Sequence, residues 1–345
     1  MSLQISNMNQ WEKGPKIVAI GGGTGLSTML RGLKKVTKNL TAVVTVADDG
    51  GGSGMLRRDM GILPPGDIRH CMEALANTEP VMEQLLTYRF TEGSLAGQSF
   101  GNLILAALNG ITGSFEEAVS QMSQVLAITG RVLPVTGADV ALEAVFENGS
   151  RVVGESRIFH FKKEQDCRID HVNLIPPRPA ALGSALEAIR EADLILLGPG
   201  SLYTSIIPNL LVDGVAEAIA RADGLKIYIC NIMTQEGETE GYTAADHLHA
   251  LVTHGAPGMV DICLTNSAPV ERELVEKYQE EGAVPMVVDR DRILRMGVEL
   301  AERPVAAHGE FYARHDPDRL AQAVMELYRE RTVRIFRGKD RYIKE

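Results

Sequence analysis

The sequence predicts an α/β fold: a mostly parallel sheet with helices on both faces, plus a helical block and a small antiparallel β insertion. Three observations carry this. Short apolar runs, most of them rich in β-branched residues, recur at 16–20, 41–47, 193–197, 225–230, 260–264 and 285–288. Stretches with apolar residues at helical spacing alternate with them, the pattern of βαβ units. Between 131 and 175 the texture changes to short runs with period-two elements, and the Asn148-Gly149 turn favours a hairpin. With 345 residues and 45% hydrophobic content, the chain can bury one core plus a smaller lobe. The expected organisation is a Rossmann-like core over 15–130 and 180–330 and a β-rich insertion over 131–179. A loose, disordered leader over 1–14 and a solvated basic tail over 331–345 complete it.

Composition narrows the partners. A net charge of −10 argues against a sequence-independent nucleic-acid surface, which needs a dense basic patch. Small-molecule ligands are expected instead. The four cysteines, Cys71, Cys167, Cys230 and Cys263, form no C-x-x-C and suit a reducing compartment. No apolar run approaches the roughly 18 residues of a membrane helix, and no signal-peptide pattern opens the chain. A cytoplasmic protein without a membrane span is the expectation.

The first element is strand, glycine turn, helix. Lys16 to Ile20 is the strand, Gly21, Gly22, Gly23 and Gly25 break it with Thr24 among them, and Leu26, Met29, Leu30 and Leu33 mark one face of a helix. Such a turn gathers backbone N–H groups and the positive end of a helix dipole at one point, so an anion is its natural occupant. The alternative is that the glycines only allow tight strand-to-helix packing. The dinucleotide pattern G-x-G-x-x-G fails at Leu26, and no Gly-Lys-Ser/Thr follows, so neither an NAD site nor a P-loop is indicated.

Thr41 to Ala47 is the second strand and ends at Asp48 and Asp49, beside the first turn in a doubly wound sheet. These carboxylates could bind a ribose hydroxyl or a magnesium ion, or could cap the following turn. Gly50 to Gly66 is a glycine-rich loop carrying Arg57 and Arg58, followed by Asp67 and Arg69. The arginines could clamp an anion or lie on the surface. Within the helical block that follows, Asn102 stands at a helix start, available to a ligand or to the helix end itself. After the insertion, the strand Asp193 to Leu197 leads into a second glycine turn, Gly198-Pro199-Gly200-Ser201-Leu202-Tyr203-Thr204-Ser205. Were both strands parallel in one sheet, the two turns would lie on the same edge and flank one cleft. Leu225 to Cys230 ends at a polar stretch, 231–239, whose Asn231 and Thr234 are candidates for the cleft wall. A closing helix spans Asp316 to Tyr328.

Gly21-Gly22-Gly23-Thr24-Gly25, Asp48-Asp49-Gly50-Gly51, Ser53-Gly54, Pro65-Gly66-Asp67-Ile68-Arg69, Phe100-Gly101-Asn102-Leu103, the 198–205 turn and the 231–239 stretch together resemble the YvcK, or gluconeogenesis-factor, branch of the CofD-like family, from about residue 15 to 325. The resemblance implies a modified Rossmann-like fold with a nucleotide at the C-terminal edge of the strands. In the CofD branch it implies magnesium-dependent transfer of a phospholactyl-type group from a guanosine-diphosphate-linked donor to a deazaflavin alcohol. In the YvcK branch it implies growth on gluconeogenic carbon sources, cell shape and wall synthesis, and binding of UDP-sugars such as UDP-N-acetylglucosamine. The 50–69 stretch departs from the transferase pattern, so the nucleotide half, Gly21 to Gly25 and Gly198 to Ser205, carries over more directly than the acceptor half.

Two functions follow. One is a nucleotide-sugar sensor, with the turns on the diphosphate, Asn102 and the 231–239 stretch on sugar or base, and cell-wall or regulatory proteins or a second copy of the chain as partners. The other is a transferase, with Asp48, Asp49 or Asp67 holding magnesium and Arg57 or Arg69 stabilising the departing phosphate.

Overall fold

The computed structural model describes residues 14–165, 167–309 and 311–342; the leader expected over 1–14 lies, up to residue 13, outside them. Among the described residues ten strands form, numbered here in chain order: β1 Ile17–Gly21, β2 Leu40–Val44, β3 Arg131–Pro134, β4 Ala141–Phe146, β5 Arg151–Val153, β6 Ile169–Ile175, β7 Leu194–Leu197, β8 Leu225–Ile229, β9 Ile262–Asn266 and β10 Glu299–Arg303. Seven of them make one parallel sheet in the order β10-β9-β8-β7-β1-β2-β3. Every residue of β1, β2, β7 and β8 is buried, which explains why these strands read as continuous apolar runs rather than alternating ones.

The order of the sheet fixes where a ligand can enter. From β1 the chain steps outward through β2 to β3, then returns to the other side of β1 and steps away through β7, β8, β9 and β10. Right-handed crossovers on opposite sides of β1 put their helices on opposite faces of the sheet. Between β1 and β7 the loops therefore diverge and open a crevice at the carboxyl ends of the strands. Ile20 lies opposite Leu197, and Gly21 opposite Val44, so the loops after β1, β2 and β7 leave the sheet at one level.

Several elements differ from the sequence expectation. The glycine-rich stretch after Asp49 is not a loop: Gly51–Met60 is a helix, stopped at Gly61 in the left-handed conformation (φ 64°). Glycine is a poor helix former, but this helix packs too closely for side chains, since a Cβ on Gly54 would lie 2.0 Å from the Asp49 carbonyl oxygen. Arg131–Pro134 belongs to the main sheet, paired with β2, so the antiparallel part is only β5-β4-β6. The Asn148-Gly149 hairpin does form within it, with Phe146 N–H donating to the Ser150 carbonyl. An unexpected helix, Glu155–Gln165, follows β5; its Phe161 ring packs at a tilt against Phe146 of β4, the ring centroids 4.6 Å apart.

The segment 285–288 makes only isolated bridges, Met233 to Pro285 and Thr243 to Val287, and the last strand is instead β10. Its sequence, E-L-A-E-R, carries charges because it is an edge strand. The closing helix runs from Pro317 to Tyr342, so 331–342, expected as a solvated tail, continues that helix; no proline interrupts it. It packs on the helix Gly23–Leu33, where a Cβ on Gly32 would meet the Pro317 carbonyl oxygen at 1.9 Å.

Candidate functional site

The two glycine turns touch, backbone to backbone. A Cβ on Gly25 would lie 2.6 Å from the Pro199 carbonyl oxygen and 3.1 Å from the Gly200 Cα. The packing reading of these glycines therefore holds at Gly25, while Gly23, at φ 65°, has a backbone shape that side chains rarely adopt. The helix Gly23–Leu33 has no capping side chain at Gly22; the Asp67 carboxylate accepts the Gly23 N–H, and the next N–H groups, those of Thr24 and Gly25, have no intrahelical partner. That is an anion site built from backbone.

The second turn is occupied differently. Asn231, at the end of β8, brackets Gly200: its Oδ1 accepts the Gly200 N–H at 3.3 Å and its Nδ2 donates to the Gly200 carbonyl at 2.9 Å. Glu238 Oε1 accepts the Thr204 N–H at 3.0 Å, and the N–H groups of Leu202 and Tyr203 also face that carboxylate. The chain's own anion thus sits at the start of this helical segment. Thr234 is buried and exchanges hydrogen bonds with Val284, as a wall element.

Two chambers open at the switch point. The first, about 310 Å³, is lined by Gly22, Gly23, Thr24, Gly25, Gly200, Ser205, Asn231 and Thr234, and across from them by Tyr278, Tyr312, Arg314 and His315. The second, about 420 Å³, is lined by Asp48, Glu155, Phe159, His160, Thr204 and Glu238. Ser201 and Gln235 line both, and Ser201 Oγ donates to Gln235 Oε1 at 2.8 Å, so this pair is the partition between the chambers.

The second chamber is acidic. Asp48 accepts the Gly50 N–H at 2.8 Å, and burial holds its carboxyl above the usual range. Asp67 is brought beside it by Gly66, which fits against Ser53, and its own carboxylate lies so close to the first turn that a Cβ on Gly22 would meet Oδ2 at 2.4 Å. Burial, and then the charge of Asp48, push Asp67 up to about 7. Glu155 is pushed up to about 9 by burial and by the charges of Asp48, Asp67 and Glu238; burial pushes Glu238 up to about 7. Both glutamates engage the Thr204 hydroxyl, which has one hydrogen to give. Glu238 Oε2 is buried with no partner among the described residues.

Other candidates point elsewhere. Asp49 Oδ1 accepts the Ser156 N–H at 3.0 Å, so Asp49 caps the helix Glu155–Gln165 across 107 residues of sequence rather than pairing with Asp48. An Asp49→Ala change should cost about 1 kcal/mol and raise hydrogen exchange over 155–165, with little effect in β1 or β7; unchanged exchange there would show that the cap carries no weight. Arg69 is buried in a network: Nε donates to Asn102 Oδ1 at 2.9 Å, Nη1 pairs with Glu73 at 2.5 Å and Nη2 meets His70 Nε2 at 2.6 Å. Asn102 N–H is capped by Ser99 Oγ. Neither residue lines either chamber. Arg57 ties the helical block to the insertion, through Asp139 at 2.6 Å and the Val140 carbonyl.

The sequence alone does not single out Glu155, Tyr278, Tyr312, Arg314 or His315, and it leaves Glu238 as one residue of a polar stretch. Tyr312 is half-exposed, with Lys277 Nζ 4.4 Å from its ring centroid and Arg314 at 5.1 Å. Among the described residues no group of three or more His, Cys, Asp or Glu is arranged to hold a metal by itself, and no helix is long and apolar enough to cross a membrane.

Comparison with known proteins agrees with this architecture. The family model described as 2-phospho-L-lactate transferase CofD matches residues 17–306. A Thermoanaerobacterium thermosulfurigenes protein, provisionally named a gluconeogenesis factor, is 54% identical over 91% of this chain and 97% of its own length. The gluconeogenesis factor of Bacillus subtilis is 48% identical over 92% of this chain and 99% of its own. A crystal structure of a UPF0052-family protein of Bacillus halodurans superposes with a TM-score of 0.87 at 44% identity, covering 91% of this chain and 99% of that one. The chain belongs to the CofD family, in its gluconeogenesis-factor branch.

Proposed function

We propose that this protein binds a nucleoside diphosphate carrying a sugar, a UDP-sugar such as UDP-N-acetylglucosamine, and regulates growth and cell morphogenesis on gluconeogenic carbon sources. The observation that carries this reading is the start of the first helix, where the Thr24 and Gly25 N–H groups have no intrahelical partner and open on a chamber at the switch point of a parallel sheet. The diphosphate rests on that turn, Tyr278 and Tyr312 offer faces to the base, and the sugar passes the Ser201–Gln235 partition toward the second chamber. The names of the Bacillus subtilis and Thermoanaerobacterium relatives support the link to gluconeogenic growth. Protein partners in wall synthesis would read whether the cleft is filled.

A second reading, a magnesium-dependent transferase of a phospholactyl-type group as in the CofD branch, is favoured by the acidic chamber. Its hard oxygen donors and the unpartnered Glu238 Oε2 fit a divalent cation, which is usually held by one or two carboxylates together with substrate phosphates. Asp48 and Glu238, which line the second chamber, are the residues that would hold it together with substrate phosphates, and it would supply charge neutralisation at the diphosphate.

Thermal shifts with UDP-N-acetylglucosamine, UDP-glucose, UDP, GDP and NAD, each with and without magnesium, test both. A ligand at 100 times its dissociation constant adds about 2.7 kcal/mol. Stabilisation by UDP-sugars without a metal requirement is expected. Stabilisation by guanosine nucleotides only with magnesium favours the transferase, and no response to any nucleotide defeats both.

A further inference from the structure

The first chamber offers the turn N–H groups and Arg314 as donors, and hydroxyls such as those of Thr24 and Ser205 that donate or accept. His315 differs. Its side chain is buried, and one ring nitrogen bonds the backbone of Cys230 at the end of β8. The Cys230 N–H is already given to Leu264, so the group facing His315 is the Cys230 carbonyl. A carbonyl only accepts, so that ring nitrogen carries the hydrogen. The other nitrogen, Nε2, is buried and has no partner among the described residues. Burial lowers the ring's pKa to about 4, so at neutral pH Nε2 offers a lone pair.

An unpaired buried acceptor in a ligand chamber calls for a donor from the ligand. Phosphate oxygens at neutral pH accept and do not serve. Strands of a sheet lie about 4.8 Å apart, so a group at the end of β8 sits about 5 Å from the β7 turn and about 10 Å from the β1 turn. That offset from a diphosphate on the first turn matches the pentose of the nucleotide. It also lies on the side of the Ser201–Gln235 partition away from the acidic chamber.

We propose that His315 determines specificity for ribose: its Nε2 accepts a ribose hydroxyl of the bound nucleoside diphosphate and sets ribonucleotides apart from deoxyribonucleotides. This rests on the nucleotide reading above. The test is calorimetric titration of UDP, 2′-deoxy-UDP and 3′-deoxy-UDP, with the GDP series alongside, into the wild type, His315→Asn and His315→Gln. Asparagine keeps a donor for the Cys230 carbonyl and removes the distal acceptor; glutamine keeps an acceptor at the distal position.

One of the two deoxy forms should bind the wild type about three- to tenfold more weakly, the worth of one hydrogen bond. His315→Asn should bind all three alike, at the weaker affinity, and His315→Gln should recover part of the discrimination. A merely structural histidine would lower all affinities in parallel and leave the ratio intact, which overturns the proposal. Equal binding of all three by the wild type overturns it without any variant. Failure of the wild type to bind any nucleoside diphosphate is a separate result that removes the nucleotide reading itself.

Discussion

Alanine at Gly25 should weaken nucleotide binding by more than about tenfold and destabilise the protein by about 1–3 kcal/mol, the range for forced overpacking. The added methyl would sit 2.6 Å from the Pro199 carbonyl oxygen, and its neighbour there is backbone, which cannot swing aside as a side chain does. The two turns must separate, and the N–H groups of Thr24 and Gly25 move with them. Gly23→Ala provides the contrast. Its nearest neighbour would be Ser205 Oγ at 3.7 Å, so space exists, and the strain comes only from the positive φ. It should be the milder change in stability. Urea unfolding and nucleotide titration of both variants check this; equal stability of Gly25→Ala and the wild type would mean that the turns are not in contact.

The acidic chamber gives the second large effect. Asp67 and Glu238 are held up to about 7 and Glu155 up to about 9, against ordinary values of 3.8 and 4.5. Between the ordinary and the raised values the folded protein keeps protons that the unfolded chain has released. Stability therefore falls as pH rises, through about pH 7 for the first two groups and on to about pH 9 for Glu155. The loss should be on the order of a few kcal/mol over pH 5 to 9 in chelated buffer. Glu155→Gln should flatten the segment above pH 7 and be more stable than the wild type at pH 9. A melting temperature that holds level or rises over that range would show that these carboxyls ionise freely.

Much of the cleft was legible in the sequence because it is local. A glycine turn directly after an apolar run, or an Asp pair at a strand end, is readable without knowing the sheet order, and the order β7-β1-β2 then brings Gly21 to Gly25, Asp48 and Gly198 to Ser205 together. What was not legible reaches the cleft from far away in the chain. Glu155 arrives on a helix whose Ile-Phe-His-Phe core reads as alternation, docked by Asp49 from another element. Tyr278, Tyr312 and His315 come from connections around β10, an edge strand too polar to be seen as one. Arg69 and Asn102 carry striking local motifs, yet their side chains satisfy each other inside the helical block. Motif chemistry located the turns; only tertiary packing decided which polar side chains remain free to meet a ligand.

Hydrogen exchange with and without UDP-N-acetylglucosamine tests the central claim most directly. Amides of Thr24 and Gly25, which have no intrahelical partner in the free protein, should become protected on binding, together with the 199–205 turn and the 312–315 segment. Binding that leaves the first turn exchanging freely, with protection confined to another part of the molecule, would contradict it.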